Sequence, residues 1–334
     1  SRRNTRFGFK SRGLGDVYKR QADYNRVFAG GVSGGLWVNN DITDANSSWT
    51  LVSGLAANIA VNVIIYDPNN TNTFYIGAGE SYTTHHSIGN GIWKSTDGGV
   101  TWTHIWGGYT GTDTPGGGGL DQLVDGIFYI NDLVARNNGG STELYAAVAG
   151  AYFRYTGTNG QWNGLQEQGV YRSTDNGSNW NKLTINESNG SPSNPNDIEI
   201  DINNNVWVST TNSSWGFSGG RIFRSTNGTS FTQMVDLNTA TGNTHGRTEI
   251  ECSQNNANTV WVATDENGAV NLYTTTDAFT TAPTSLASEP NDADNGIGAS
   301  DFTRGAAWYN LTIEADASDN LIVGGVNLFR STDN

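Results

Sequence analysis

The sequence has 334 residues, 43 of them glycine, and its 18 basic and 32 acidic side chains give a formal net charge of −14. Such a negative surface repels phosphate backbones, so nucleic acid and anionic membranes are not expected partners. A single cysteine, Cys252, excludes an internal disulfide framework. No apolar run reaches the eighteen or so residues of a membrane span, so no transmembrane segment is predicted.

Residues 1–21 differ from the rest of the chain. They hold seven of the 18 basic residues and one of the 32 acidic residues, which leaves a net charge of −20 over residues 22–334. The stretch Asp16–Gln21 resembles a translated transposon-end adaptor used for sequencing libraries, so we predict that residues 1–21 are non-native and disordered. The alternative is a natural basic arm that binds an anionic surface.

The rest of the chain repeats one short motif. Each copy has an apolar strand, then Ser/Thr-Thr-Asp or a close variant, a tight turn and, in the fuller copies, an aromatic residue. The copies are Gly91–Trp102, Gly169–Trp180, Arg221–Phe231, Asn271–Thr281 and Asn327–Asn334. Their Asp or Asn positions are 78, 52, 50 and 56 residues apart. A period of about fifty residues matches a four-stranded propeller blade.

Apolar runs separated by turn residues predict four strands in each repeat. In the second repeat these are Val61–Tyr66, Phe74–Gly77, Gly91–Lys94 and Thr101–Ile105. The first repeat lacks an inner strand, and the sixth ends after its third strand. We therefore predict an all-β fold, a β-propeller truncated at both ends, with repeats at about 27–55, 56–107, 127–185, 191–237, 243–286 and 305–334 and insertion loops at 107–126 and 150–168.

Two of the turns resemble a known family motif. Ser95–Trp102 and Ser173–Trp180 are similar to the Asp-box, or BNR repeat, of the sialidase, sortilin and xyloglucanase-like propellers. The resemblance covers essentially all of residues 22–334 and implies the propeller fold. Arg304–Asn334 looks most like blades of large secreted Bacteroidota proteins that end in a type IX secretion sorting domain, although that domain is absent from this sequence.

The Asp-box residues are interpreted as structural. The Asp and Ser accept turn N–H groups, the Gly adopts a positive φ and the aromatic ring is buried. The residues with this role are Ser95, Asp97, Gly99, Trp102, Ser173, Asp175, Gly177, Trp180, Asn227, Phe231, Asp277 and Asp333.

A functional site is expected where the inner strands begin, since these ends converge on the central opening of a propeller. Asp132 and Asp197 are the candidate catalytic acid and base for glycosidic bond cleavage. The candidate ligand-binding residues are Arg247, Glu249, Asp301, Arg304, Trp308 and Tyr309. The alternative for Asn131-Asp132 and Asn196-Asp197 is that each pair caps a turn and hydrogen-bonds the neighbouring blade.

Other sites have weaker signals. A sialidase needs an arginine triad, for which Arg136, Arg247 and Arg304 are candidates without a supporting motif. His85-His86 lacks a third metal ligand at a recognisable spacing, so no metal site is predicted. Asp292–Asp294 resembles the start of a calcium loop without its closing Glu, which leaves calcium as an unsupported alternative to having no cofactor.

These observations favour an exported bacterial protein, extracellular or on the cell surface, whose propeller binds or displays a carbohydrate or protein ligand. The competing hypothesis is a xyloglucanase-like glycoside hydrolase, and a third is a scaffold for assembling another complex. Fold alone cannot choose among them, because propellers have many functions. The sequence favours a binding protein over an enzyme.

Overall fold

The computed structural model describes residues 17–19, 25–32, 34–56, 59–79, 81–82, 89–108, 128–153, 161–163, 168–186, 190, 193–212, 219–286, 290 and 301–331. The chain separates into two compact units, which we call the first unit (residues 6–182) and the second unit (residues 183–334). Each unit is built from antiparallel sheets whose strands follow one another in chain order. The predicted all-β, propeller-type fold with about six blades is confirmed.

The first unit contains three four-stranded sheets among its described residues. The first sheet consists of β1 (Val17–Lys19), β2 (Val27–Gly31), β3 (Gly35–Asn39) and β4 (Thr50–Leu51). The second consists of β5 (Val61–Asp67), β6 (Asn70–Ala78), β7 (Gly91–Ser95) and β8 (Thr103–Trp106). The third sheet includes β9 (Tyr129–Asn138) and β10 (Ser141–Ala149) and, after a ribbon of β11 (Ala151–Phe153) and β12 (Gln161–Asn163), β13 (Gly169–Ser173) and β14 (Asn181–Lys182).

Two features of the first unit differ from the prediction. The first sheet has an inner strand after all, because β1 pairs with β2 through Val17–Lys19, inside the segment predicted to be disordered. The ribbon formed by β11 and β12 lies within the insertion loop at 150–168.

The second unit continues the same pattern with two four-stranded sheets and one three-stranded sheet in its described part. The fourth sheet of the chain consists of β15 (Pro195–Ile200), β16 (Val206–Thr210), β17 (Arg221–Ser225) and β18 (Thr232–Asp236). The short helix α1 (Leu237–Thr241) follows, and then the fifth sheet with β19 (His245–Cys252), β20 (Val260–Glu266), β21 (Ala269–Thr275) and β22 (Thr284–Ser285). The sixth sheet consists of β23 (Thr312–Ala315), β24 (Leu321–Gly324) and β25 (Leu328–Arg330).

Helix α1 was not predicted, and its ends have ordinary causes. The Asp236 carboxylate accepts the backbone N–H of Asn238 at the N-terminus, and Gly242 closes the C-terminus in the left-handed conformation. Five residues are too few to give a clear helical periodicity in the sequence.

Apolar side chains from successive sheets form the cores. In the first unit, Phe28 and Leu36 of the first sheet pack with Ile64 and Phe74 of the second. In the second unit, Trp207 of the fourth sheet packs with residues of the fifth. All seven residues of β5 are buried, which explains why inner strands have continuous apolar runs instead of alternating ones.

The repeated Ser/Thr-x-Asp turn has one hydrogen-bonding pattern. Ser95 Oγ accepts the N–H of Gly99 at 2.8 Å, while the Asp97 carboxylate accepts the N–H of Thr101 at 2.9 Å and its hydroxyl at 2.6 Å. These bonds, the Thr101 hydroxyl first, hold the pKa of Asp97 well below its usual range. Gly98 and Gly99 have φ values of 77° and 85°, in the left-handed region that favours glycine.

The other copies keep this pattern with local substitutions. Asp175 accepts from Asn179 Nδ2 at 2.7 Å, and this bond is the main reason why the pKa of Asp175 falls to about 2. Asn227 Oδ1 accepts the N–H of Ser230 at 2.9 Å in place of a carboxylate. In the turn of Asp277, which lacks the Trp, Phe279 is buried in the core at φ 63°. Asp333 lies outside the described residues.

No described helix has the length and hydrophobicity that crossing a membrane requires.

Candidate functional site

The inner strands of the second to fifth sheets each carry a β-bulge near their first residues. The ladder between β5 and β6 skips Asn62, and the ladder between β9 and β10 skips Asn131. The β15–β16 ladder skips Asn196 with Asp197, and the β19–β20 ladder skips Gly246 with Arg247. A bulge leaves residues without ladder partners and redirects their side chains.

The bulged Asn residues connect neighbouring sheets. Asn62 Nδ2 donates to the Ile130 carbonyl at 3.2 Å, and Asn196 Nδ2 donates to the Thr248 carbonyl at 2.7 Å. Asn131 Oδ1 accepts from the Ser81 hydroxyl at 2.5 Å. The Asn residue of each Asn-Asp pair therefore hydrogen-bonds outside its own sheet, which is the structural role that we considered as the alternative to catalysis.

The two candidate catalytic carboxylates lie in different units. Asp132 is on β9 of the first unit and is 1% exposed. Asp197 is on β15 of the second unit, is 6% exposed, and accepts the backbone N–H of Ile250 at 2.8 Å. This bond gives Asp197 a structural role between β15 and β19, and its use in catalysis stays a prediction.

Arg247 and Glu249 form a buried ion pair that connects the fifth sheet to the sixth. Arg247 is 1% exposed, and its Nε lies 2.6 Å from Glu249 Oε1. Its two terminal nitrogens donate to the carbonyls of Tyr309 and, at 3.0 Å, Leu311. Asn196 Nδ2 also donates to Glu249 Oε1, at 3.0 Å. These two candidate ligand-binding residues are buried beneath the chain that carries Tyr309.

The remaining candidate ligand-binding residues precede β23. The Asp301 carboxylate accepts the N–H groups of Thr303 at 3.0 Å and Gly305 at 2.5 Å, which shapes a turn. Arg304 is exposed in that turn with φ 54°. The Trp308 side chain is 47% exposed, and its ring centroid lies 5.5 Å from that of the half-buried Tyr309. An exposed indole beside a second ring is a surface suited to stacking.

Three residues that the sequence analysis missed lie at the same edge of the second unit. Because the sheets are antiparallel, the starts of β15 and β19 adjoin the ends of β16 and β20. A Cβ atom added to Gly246 would lie 2.8 Å from Asp265 Oδ2 and 3.1 Å from Asn212 Nδ2. The side chains of Asp265 and Asn212 therefore fill the place beside Gly246. One signal was available in the sequence, because the fifth inner strand has Gly246 where three other inner strands have Asn. Asp265 gave no such signal, since it lies in an ordinary turn sequence, Asp-Glu-Asn-Gly.

Burial and like charge shift two acids of the second unit. Burial raises the pKa of Asp265, and the nearby Asp301 carboxylate raises it further. Burial also raises the pKa of Glu251 well above its ordinary value, with contributions from Glu199 and Glu314. Carboxyl groups with raised pKa values are common at functional sites but also occur in structural clusters.

Other candidate sites have less support. Arg136 pairs with Glu143 at 3.1 Å, so two of the three candidate sialidase arginines are engaged in ion pairs. Within the described ranges, no three His, Cys, Asp or Glu side chains are placed to hold a metal ion. The pairs His85-His86 and Asp292–Asp294 lie outside those ranges.

No protein-family model matches the sequence, and no curated protein matches it either. Solved structures do share the fold. An ancestral GH74 enzyme has 13% identity and a TM-score of 0.62 over 100% of this chain, and the GH74 xyloglucanase of Xanthomonas campestris has 13% identity and a TM-score of 0.59 over 95%. This chain covers 39% and 44% of those two chains.

A third similar structure is the Cps50 (Swd1) β-propeller domain of Myceliophteria thermophila, with 8% identity and a TM-score of 0.53. The match covers 96% of this chain and 84% of that one. At these identities the likeness establishes the β-propeller fold and leaves the function to the residues of the site.

Proposed function

We propose that the protein is an exported binding module whose second unit binds carbohydrate where its inner strands begin. The observation that carries this proposal is the exposed Trp308 ring beside Tyr309. Large aromatic side chains with one polar atom offer an apolar face and a hydrogen-bonding edge, and binding sites combine such rings with a few placed polar groups. The nearby turn supplies those groups through Asp301 and Arg304.

The backbone that carries these two rings is held by buried side chains. Arg247 donates to the carbonyl of Tyr309 and to the carboxylate of Glu249, which also accepts a hydrogen bond from Asn196. A fixed platform loses little conformational entropy when a ligand binds. The buried residues of the predicted ligand set therefore act as positioning residues for the aromatic pair.

The test is affinity electrophoresis and calorimetric titration against soluble xyloglucan, laminarin, mannan and polygalacturonate. We expect the wild-type protein to retard on at least one of these glycans and Trp308→Ala to lower the affinity at least tenfold. Trp49→Ala is the matched control, because Trp49 is a 41% exposed indole of the first unit. Failure to bind any of the four glycans, or equal losses in both variants, would contradict the proposal.

A glycoside hydrolase of the GH74 type is the second candidate, because two structures with that description share the fold over nearly the whole of this chain. Release of reducing sugar from xyloglucan that disappears in Asp132→Ala and Asp197→Ala would support it. Glycan binding without release supports a binding module. Capture of a protein partner without any glycan binding would favour the assembly scaffold instead.

A further inference from the structure

We propose that the open edge of β25 binds an extended segment of another polypeptide, which carries a Thr-x-aliphatic sequence and adds a fourth strand to the sixth sheet. This interaction with a peptide is separate from the proposed binding of carbohydrate. Five sheets of the chain have a fourth, outer strand, whereas no described residue pairs with the outer side of β25. An edge strand presents N–H and C=O groups that can pair with a strand of another chain.

The backbone of β25 directs two residues toward the open edge. The N–H of Ser331 donates to the carbonyl of Leu321 on β24 at 2.9 Å. In an antiparallel ladder the N–H and C=O groups of successive residues point to opposite sides of the strand. Those of Phe329 therefore also face β24. Those of Leu328 and Arg330 face away from β24, toward the open edge.

The third strands of the other sheets show how this edge is used. Leu328 and Phe329 correspond to an aliphatic–aromatic pair in each of them, namely Leu36-Trp37, Ile92-Trp93, Val170-Tyr171, Ile222-Phe223 and Leu272-Tyr273. The Leu36 carbonyl accepts the N–H of Val52 on the outer side at 2.8 Å, and the fifth sheet has the same kind of bond to Leu272 at 2.9 Å. The carbonyl of Leu328 is therefore placed to accept such a bond.

The side chain of Leu328 lacks the cover that its counterparts have. Leu328 is 54% exposed, whereas its five counterparts are buried, with Leu36 at 0% and Leu272 at 4%. Val52 and Leu286, which follow two of the outer strands, pack against the clusters that contain those two leucines. An added strand with an aliphatic residue at this point would remove part of the exposed Leu328 side chain from water.

The outer strands of the chain define the chemistry of the partner. Each has Thr or Asn, then a variable residue, then an aliphatic residue or Met, at 50–52 (Thr-Leu-Val), 103–105 (Thr-His-Ile), 181–183 (Asn-Lys-Leu), 232–234 (Thr-Gln-Met) and 284–286 (Thr-Ser-Leu). The middle residue lies opposite the aromatic residue of the third strand, as Leu51 does with Trp37. Strands that add to a sheet edge gain affinity from main-chain bonds and specificity from alternate side chains. The expected ligand is therefore an extended segment with this pattern.

Amide hydrogen exchange followed by NMR tests the proposal at single residues. The probe is a capped peptide of residues 49–54, Trp-Thr-Leu-Val-Ser-Gly, which carries no charge. Peptide at about ten times its dissociation constant should slow the exchange of the Leu328 and Arg330 amides about tenfold. The Phe329 amide already faces β24 and should change less. The same peptide with the substitution Val52→Asn should bind at least tenfold more weakly.

Proline distinguishes backbone pairing from contact with side chains. Arg330→Pro removes an N–H that faces the open edge and should weaken peptide binding at least tenfold, while edge strands tolerate proline at such positions. Arg330→Ala is the matched control, because it keeps the N–H and loses the same side chain, which pairs with Asp316 at 2.7 Å. It should bind the peptide as the wild type does. Trp308→Ala should also bind it normally, which separates this inference from glycan binding.

Each outcome decides the proposal. Slower exchange at Leu328 and Arg330 that is lost with the Val52→Asn peptide and in Arg330→Pro supports it. Equal binding by Arg330→Pro and Arg330→Ala overturns it, as does slowing confined to residues outside β25. Amides of Leu328 and Arg330 that are already protected in the free protein also overturn it, and protection that rises with protein concentration would show that a second copy covers the edge. If Arg330→Pro does not fold, the comparison of the two peptides on the wild type decides.

Discussion

Replacing Arg247 with Met tests whether the buried ion pair holds the second unit together. The Met side chain keeps much of the apolar volume but removes the guanidinium group, and with it the bond to Glu249 at 2.6 Å and the bonds to the carbonyls of Tyr309 and Leu311. Glu249 keeps one bond from Asn196 at 3.0 Å but stays buried without a cation.

The expected loss is large because a charge is left behind. Removing one member of a buried ion pair destabilises a protein by about 3–5 kcal/mol. Glu249→Gln should cost less, about 1.5–3 kcal/mol, since Arg247 keeps its two carbonyl acceptors. The double variant should lose less than the sum of the single losses, because the residue pair shares one interaction, and the coupling energy should be about 1 kcal/mol or more.

Urea unfolding followed by tryptophan fluorescence measures these changes. Arg304→Met is the control, because this arginine is exposed and its replacement should change the unfolding free energy by no more than about 0.5 kcal/mol. A loss below about 1 kcal/mol in Arg247→Met, or strictly additive losses in the double variant, would refute the idea that this pair fastens β19 to the chain before β23.

Two further predictions concern stability. Burial lowers the pKa of His245 despite the opposing effects of Glu266 and Asp236, so the unfolded chain takes up a proton more readily than the folded one. The contribution of His245 to stability should therefore be fully present above about pH 6.5 and be lost as the pH falls below that value. Melting temperatures measured from pH 8 to pH 5 should fall less in His245→Gln than in the wild type. Equal falls in the two proteins would contradict this. Gly77→Ala would place a methyl group 2.5 Å from Ile130 and Val63, and should cost about 1–3 kcal/mol in urea unfolding. Gly34→Ala, which meets nothing closer than 3.8 Å, should be within about 0.5 kcal/mol of wild type, and similar values for both would disprove the packing argument.

Most strands could be predicted from the sequence, because the runs of apolar residues and the positions of the turn-forming residues indicate the same boundaries. Val61–Tyr66 was predicted and Val61–Asp67 is found, with the turn at Asp67 closed by its carboxylate and the N–H of Asn69. Strand ends are harder to predict, and the start of β19 at His245 is an example. The bulge at Gly246 and Arg247 interrupts the apolar pattern there, so the first half of that strand has no periodic signal.

For the candidate site, the position of the polar residues along the strands was predictable, but their burial was not. Polar residues do lie at the ends of the inner strands, as the sequence suggested. However, Arg247 is buried inside the protein, whereas Trp308 is exposed on its surface. Sequence alone does not separate these cases, because both residue types occur in cores and in binding sites. The contact between Asp265 and Gly246 could not be predicted, because it depends on the pairing of β19 with β20.

Repetition itself helps to separate structural from functional residues in this chain. A polar residue that recurs at the same place in several sheets, such as Asn62 and Asn196, is explained by a bond that every such sheet needs. Asp197 accepts a bond of this kind from the N–H of Ile250, which gives its carboxylate a structural role between the sheets whether or not it takes part in catalysis. Gly246 departs from the pattern, and the next residue takes over the lost connection. A departure that the fold compensates, as at Gly246, therefore marks a position that the shared connection between sheets no longer constrains.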